Sequence, residues 1–382
     1  MKKIVWIAIF AVFAFFALAV PVKGARADSV SPVKARSAYL MDKRTGETLY
    51  GQRENDEFPI ASMVKIMTAL LTFEEIEKGS LRFDESITIS DAAAGMGGSQ
   101  MFLDRGLSYP VTDLLKGVIV VSANDACVAL AERISGSEES FVEKMNDKAK
   151  ELGMTRTVFV NATGLPKEGG HSTAHDVALM LRALTSHERY YDYSKIWLEE
   201  YKHPDGRITT LTNTNKFVRF YDECDGGKTG FTSEAKFCLA ASATRGDTKL
   251  ISVVIGADDS KTRFSESKRL LRYGFSNYKT EIVLKKGEAA FYAPLSRGAK
   301  NAAACGVLED LSVLLKTGEK SDNIDIKAEF LPLRAPIEIG QTVGSCVLTA
   351  NGKTVTVPIV ALEKVGKATI GDSYQKILGE WT

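Results

Sequence analysis

Three short segments of this 382-residue chain carry side chains that could do chemistry together: Ser62-Met63-Val64-Lys65, Ser122-Ala123-Asn124 and Lys228-Thr229-Gly230. They supply a hydroxyl nucleophile, two amines, a second hydroxyl and an amide. That equipment suffices for acyl transfer through a serine without a histidine–aspartate pair. A serine hydroxyl is a poor nucleophile until a base removes its proton. A lysine can be that base once its surroundings lower its pKa.

Spelling alone does not select these copies. Ser-x-x-Lys occurs six times, at Ser31, Ser62, Ser233, Ser265, Ser276 and Ser373. Lys-Thr-Gly recurs at Lys316-Thr317-Gly318, and Ser321-Asp322-Asn323 is a second Ser-x-Asn. Position separates them. Pro32 interrupts the Ser31 copy, so its serine and lysine are not expected to share a helical face. The copies at Ser233, Ser265, Ser276 and Ser373 lack an apolar run leading away from the serine. Ser62 follows Phe58-Pro59-Ile60-Ala61 and opens an apolar run from Met63 to Leu71, with no Gly or Pro before Gly79. This pattern predicts a largely buried helix with Ser62 at its start. Residues three apart on a helix are neighbours, so the hydroxyl of Ser62 and the amine of Lys65 can meet. The helix N-terminus also turns backbone N–H groups and positive potential towards the serine. The ordinary alternative is a serine N-cap followed by a solvated lysine, and a lysine inside so apolar a stretch argues against it.

The elements that must position the other two segments are also legible. Ser122-Ala123-Asn124 stands between the apolar segment Leu114–Val121 and a second apolar run, Asp125–Glu132, hence at a junction where side chains can face a cleft. Lys228-Thr229-Gly230 precedes two strand-like runs, 237–243 and 250–255, joined by a turn at Arg245-Gly246-Asp247. Gly230 has a reason of its own, since a small residue lets a substrate backbone lie against a strand edge. Residues 38–42 and 47–50 read as a hairpin, 63–184 as a helical region, and 265–273 as a further helix. Strands from both ends flanking central helices predict an α/β (α+β) sandwich on an antiparallel sheet. Beyond Phe275 short β-like runs at 280–284, 289–292, 311–315 and 354–357 predict a small all-β domain. The division expected is 1–27, 28–277, 278–369 and a tail of 370–382.

With these residues in view, the chain resembles the D-alanyl-D-alanine carboxypeptidase family, the low-molecular-mass penicillin-binding proteins. The resemblance extends beyond the three segments to Gly98-Ser99-Gln100-Met101-Phe102-Leu103, Ala162-Thr163-Gly164-Leu165-Pro166, His171-Ser172-Thr173-Ala174, Asn213-Thr214-Asn215-Lys216 and Phe231-Thr232-Ser233-Glu234-Ala235. It implies the β-lactamase/penicillin-binding serine-transferase fold. It also implies a reaction on peptidoglycan stem peptides ending in D-Ala-D-Ala, with Ser62 forming an acyl-enzyme and β-lactams acylating the same serine. Lys65 would be the general base, its pKa lowered by burial and by Lys228 as a neighbouring cation. Ser122 would pass a proton to the departing D-alanine, and Asn124 would hold Lys65 and the substrate amide. Thr229 and Arg263 would bind the terminal carboxylate, a surface arginine being the alternative for the latter. The backbone N–H groups of Ser62 and Phe231 would form the oxyanion hole.

The N-terminus predicts export. Met1-Lys2-Lys3, the apolar stretch Ile4–Val20 and Ala25-Arg26-Ala27 form a signal-peptide pattern with cleavage before Asp28, a retained anchor being the alternative. Residues 1–27 carry four of the 49 basic residues and no acidic one, which leaves 45 bases against 48 acids and a formal charge of −3. Nothing in that balance suggests a nucleic-acid partner. Cys127 and Cys238 lie in apolar runs and read as core residues, whereas Cys305 and Cys346 share the C-terminal region and could bridge. No Cys-x-x-Cys or His-Glu-x-x-His occurs, so neither a metal nor another cofactor is expected. The tail is short, carries a single lysine and is broken by Gly379, which leaves at most weak membrane association as the expectation.

Among competing readings, a β-lactamase would need an additional glutamate to activate the deacylating water. Residues 155–176 hold only Glu168, without a following asparagine at motif spacing. D,D-endopeptidase action on crosslinks would use the same residues. A non-catalytic peptidoglycan-binding protein would not require Ser62, Lys65, Ser122, Asn124 and Lys228 together.

Overall fold

The computed structural model describes residues 30–319, 324–350 and 352–372. The N-terminal apolar stretch, the Ser321-Asp322-Asn323 decoy and most of the C-terminal tail lie outside the described residues. No helix among the described residues is long and apolar enough to cross a membrane.

Among the described residues, five strands form the main sheet, in the order Thr48–Gln52, Ser37–Asp42, Thr248–Ala257, Lys236–Arg245, Cys224–Thr232. Every neighbour is antiparallel. The expected hairpin and the two expected strands are thus present, and strands from before and after the helical region meet where Tyr39 pairs with Val253. Alternation divides the sheet into two faces. Ile251, Val253 and Ile255 enter the main core. On the other face, Ser252 hydrogen-bonds Ser267 at 2.6 Å and the Leu250 side chain lies over Gly274, both on the helix Ser260–Asn277.

The helical region is interrupted in ways that matter for the site. The helix Lys65–Glu77 has ten buried residues and passes through the middle of the core, which is why its apolar pattern extends around the cylinder. The helices Val111–Lys116 and Asn124–Ser135 are separated by a wide π turn, Gly117–Val121. A second hairpin, Leu198–Lys202 with Ile208–Thr212, lies within the chain between the helices and the Lys-Thr-Gly strand. Its charged and threonine-rich sequence carries no apolar run, so the pattern reading did not include it.

The helix Ser260–Asn277 runs directly into the strand Tyr278–Leu284, and an all-β region follows with its own core. The expected runs at 280–284, 311–315 and 354–357 lie in strands, whereas the strand at the fourth run begins only at Phe291. The strand Ala302–Val307 escaped the reading because its alanines and glycine have little β preference. Cys305 and Cys346 are free, as are the other three cysteines. They flank one strand, where Cys305 faces Ala361 and Cys346 faces Val357. Four residues of stagger place them ~13 Å apart along the strand direction, too far for a disulfide.

Candidate active site

Ser62 lies in a 3-10 turn, Ala61–Val64, and the α-helix begins only at Lys65. The serine is therefore not the helix's first residue, and no side chain caps either element. Ala61 takes a left-handed φ of 48°, which bends the chain sharply just before the nucleophile. Lys65 is 1% exposed, and its Nζ donates to Ser62 Oγ at 3.2 Å and to the Thr163 carbonyl at 2.5 Å. Burial lowers its pKa to about 8, opposed by Cys127 and Asp125. The pKa of Lys228 is also pushed well below the usual lysine value, by burial first and by Lys65 second, so the expected repulsion between the two amines ranks behind burial. Two buried amines side by side disfavour simultaneous protonation.

Ser122 follows the π turn in the left-handed conformation, φ 64° and ψ 35°. Its Oγ and the Oδ1 of Asn124 are buried without a hydrogen-bond partner among the described residues. Asn124 is otherwise fixed, its Nδ2 donating to the Gly97 carbonyl at 2.7 Å and its backbone N–H to the Ser99 carbonyl at 2.7 Å. Asp125 secures the same loop by accepting the backbone N–H groups of Met101 and Leu103. An orphaned hydroxyl and an orphaned amide oxygen in so well-bonded a loop are suited to a polar ligand.

The Lys-Thr-Gly segment occupies the strand Cys224–Thr232, at one edge of the sheet. Its free edge can accept an extended peptide. Lys228 Nζ lies 3.3 Å from the Thr229 carbonyl, and Thr229 Oγ1 donates to Thr214 Oγ1 at 2.9 Å. Gly230 has a different physical reason from the one its sequence suggested. A Cβ there would come 2.6 Å from the Ile60 carbonyl oxygen and 3.2 Å from the Ala61 side chain. Glycine is required because the nucleophile turn packs on the strand. Phe231 is 54% exposed and packs its ring on Phe237, centroids 4.4 Å apart.

Arg263 is not a surface arginine. It is 9% exposed, and its Nη1 donates to the carbonyls of Gly230 at 3.0 Å and Cys238 at 3.2 Å. These two residues face each other across the paired strands. The guanidinium therefore clamps the backbone beside Phe231, while its Nε is buried without a partner. Burial lowers its pKa to about 10, where it remains charged at neutral pH.

The structure brings Ser62 and Lys65 into contact and sets the two lysines within mutual electrostatic influence. Two further residues, Thr163 and Thr214, take part in the site, although the sequence shows them only within the phrases shared with the family. The Thr163 carbonyl receives Lys65, and Gly164, at φ 77°, lets that loop cross the nucleophile turn, since a Cβ there would overlap the Ala61 carbonyl. Thr214 joins two parts of the site, its N–H donating to the Val120 carbonyl at 3.1 Å and its hydroxyl meeting Thr229. The phrases containing these residues were the available signal, but their partners are 98 and 15 residues away in sequence.

Comparison with known proteins agrees with this geometry. A family model described as D-alanyl-D-alanine carboxypeptidase matches residues 24–259, and one described as penicillin-binding protein 5, C-terminal domain, matches 278–367. The chain is 39% identical over 353 residues to the D-alanyl-D-alanine carboxypeptidase DacF of Bacillus subtilis, covering 91% of this chain and 90% of that protein. It is 35% identical to DacC of Escherichia coli, covering 87% and 84% respectively. Its fold is similar to crystal structures of penicillin binding protein 5 from Haemophilus influenzae, with a TM-score of 0.68 and 31% identity over 89% of this chain and 100% of that one. A serine–lysine pair in this fold, with a family match over most of the main domain, leads to one conclusion: the chain belongs to the D-alanyl-D-alanine carboxypeptidase family.

Proposed function

We propose that this protein is an exported serine-type D-alanyl-D-alanine carboxypeptidase that removes the terminal D-alanine from peptidoglycan pentapeptides and is acylated by β-lactams. The observation that carries the reading is the buried Lys65, held 3.2 Å from Ser62 Oγ with its pKa lowered to about 8. As Ser62 Oγ bonds to the carbonyl carbon between the two D-alanines, its proton passes to Lys65 Nζ. When the C–N bond breaks, the leaving amine receives a proton through the otherwise unpartnered Ser122 hydroxyl. Water then attacks the acyl-enzyme with the same groups acting in reverse. Asn124 Oδ1 accepts the substrate amide, and Lys228 and Thr229 hold the terminal carboxylate. The backbone N–H groups of Ser62 and Phe231 stabilise the oxyanion, and Arg263 supports that geometry through the Gly230 carbonyl.

Residues 28–277 are assigned as the catalytic domain and 278–369 as a separate β domain, a reading supported by the end of the helix at Asn277 and by the two family models. Residues 1–27 are assigned as a signal peptide on their basic, apolar and small-residue pattern. Weak membrane association is assigned to the segment 370–382, which carries one lysine against two acidic residues.

Ser62→Ala should lose both labelling by a fluorescent penicillin and release of D-alanine from a pentapeptide. Retention of either would overturn Ser62 as the nucleophile. Mass spectrometry of cell-wall peptides incubated with the mature protein should show pentapeptides losing one alanine mass. Crosslinked dimers becoming monomers would instead establish an endopeptidase.

A further inference from the structure

A cavity of about 620 Å³ lies where the turn of the first hairpin meets the all-β region, within the size range of small-ligand sites. Lys43 and Arg44 reach it from that turn, Arg182 from the helix Ala174–Leu184, Lys249 from the strand Thr248–Ala257, and Lys286 from the all-β region. It is separate from the reaction. Across the sheet Lys228 is level with Ala240 and then Val253. Val253 stands four residues from Lys249, which is ~14 Å of extended chain.

Three acids share the lining with these five bases and do not neutralise them. Asp310 pairs with Arg44 and also accepts the Lys286 backbone N–H at 2.9 Å. Glu188 and Glu309 are exposed. Lys43, Arg182 and Lys249 are half-buried, and with Lys286 they have no ion pair among the described residues. The fold itself holds the cations together. The Lys43 backbone N–H donates to the Lys249 carbonyl at 2.7 Å, and Arg182 donates through Nε and Nη2 to the carbonyls of Lys43 and Arg44 at 2.6 and 2.8 Å. Burial first and Lys249 second lower the pKa of Lys43 to about 8, Arg44 and Arg182 add to the fall, and Asp225 opposes it.

Donors remain free. An ammonium has three N–H groups, and Lys43 Nζ uses two, on the Thr185 carbonyl at 2.6 Å and the Tyr191 hydroxyl at 3.0 Å. Arg182 Nη1 and the amines of Lys249 and Lys286 make no hydrogen bond among the described residues. An excess of two positive charges with free N–H groups matches a partner with about two negative charges and three acceptor oxygens, which is a phosphate monoester at neutral pH. A carboxylate brings one charge and two oxygens. The volume also leaves room for a small group attached to the phosphate.

We propose that this cavity is a binding site for a phosphate group, free or esterified to a small polyol, distinct from the Ser62 centre and formed jointly by the main domain and the all-β region.

Calorimetric titration of the full mature chain at pH 7 tests it with inorganic phosphate, glycerol 3-phosphate and acetate, at constant ionic strength so that general screening is fixed. The phosphate compounds should saturate one site with a Kd at or below about 1 mM, and acetate should bind at least about tenfold more weakly. Tighter binding of glycerol 3-phosphate would identify the esterified group as the ligand, and equal affinities would identify the phosphate alone. The double variant Lys249→Gln/Lys286→Gln should weaken phosphate binding about tenfold, as expected for two partly solvated charge contacts. Its acylation by fluorescent penicillin should be unchanged. No saturable phosphate binding below about 10 mM, acetate binding equal to phosphate, or an affinity that survives the double variant overturns the site. The comparison of phosphate with acetate uses the unaltered protein, so it decides the matter even where the double variant folds poorly.

Discussion

At the scale of single residues, the site depends on a lysine kept from being an ordinary lysine. With a pKa of about 8, roughly a tenth of Lys65 is neutral at pH 7, against ~0.03% for a solvated lysine. The rate of β-lactam acylation should therefore rise with pH and reach half its plateau near 8, as stopped-flow measurement would record. A flat profile from pH 6 to 9 would remove Lys65 as the base. The same shift has a stability consequence. The folded pKa lies below the unfolded value, so the unfolded chain binds more protons between about 8 and 10.5, and folding is favoured as pH rises through that window. Lys65→Met escapes this cost, and its stability advantage over the unaltered protein should narrow as pH is raised from 7 to 10 in denaturant titrations. Gly230→Ala tests packing rather than charge. A Cβ 2.6 Å from the Ile60 carbonyl must push the nucleophile turn off the strand. The expected loss is about 1–3 kcal/mol of stability and on the order of 100-fold in kcat/KM.

At the scale of elements, the site is assembled from irregularities rather than from regular helix and strand. A 3-10 turn presents Ser62, a π turn delivers Ser122 in the left-handed region, and an edge strand carries Lys228. A left-handed serine with an unpartnered buried hydroxyl costs stability, of the order of 1–3 kcal/mol for such strain. Ser122→Gly relieves both terms. It should melt no lower than the unaltered protein, with a gain of up to about 1 kcal/mol, while D-alanine release falls sharply. A large loss of stability would show that Ser122 is there for packing. The sequence made the helix after Ser62 legible through its apolar run, but not the turn before it. A 3-10 start and a π turn are set by what packs against them, here the Lys-Thr-Gly strand and Thr214, and leave no periodicity to read.

At the scale of the whole molecule, the main core and the C-terminal core share no residue. They are joined by a few polar contacts. Arg44 pairs with Asp310 at 2.5 Å, Thr280 Oγ1 donates to the buried Asp42 at 2.7 Å, and Thr317 Oγ1 donates to the Ser276 carbonyl at 2.9 Å. A chain ending after Asn277 should keep penicillin acylation within about twofold at 25 °C, because no site residue lies beyond Arg263. It should melt lower, because Asp42 loses its Thr280 partner and leaves a buried carboxylate less satisfied. Loss of acylation in that folded, shortened protein would mean that the β domain shapes the site.

The sequence by itself determined the chemistry and the family. Residue types and their order are covalent facts, and the apolar run after Ser62 was enough to choose one Ser-x-x-Lys from six. The fold class followed from strands at both ends of a helical middle. Tertiary structure alone decided why each group behaves as it does. Lys65 titrates low chiefly through burial, Gly230 makes room for a turn 170 positions earlier, and Arg263 grips two strand carbonyls instead of facing solvent. The burial of Lys65 was legible in the apolar run around it, but close approach arises between residues far apart in the chain, so no local pattern in the sequence encodes it.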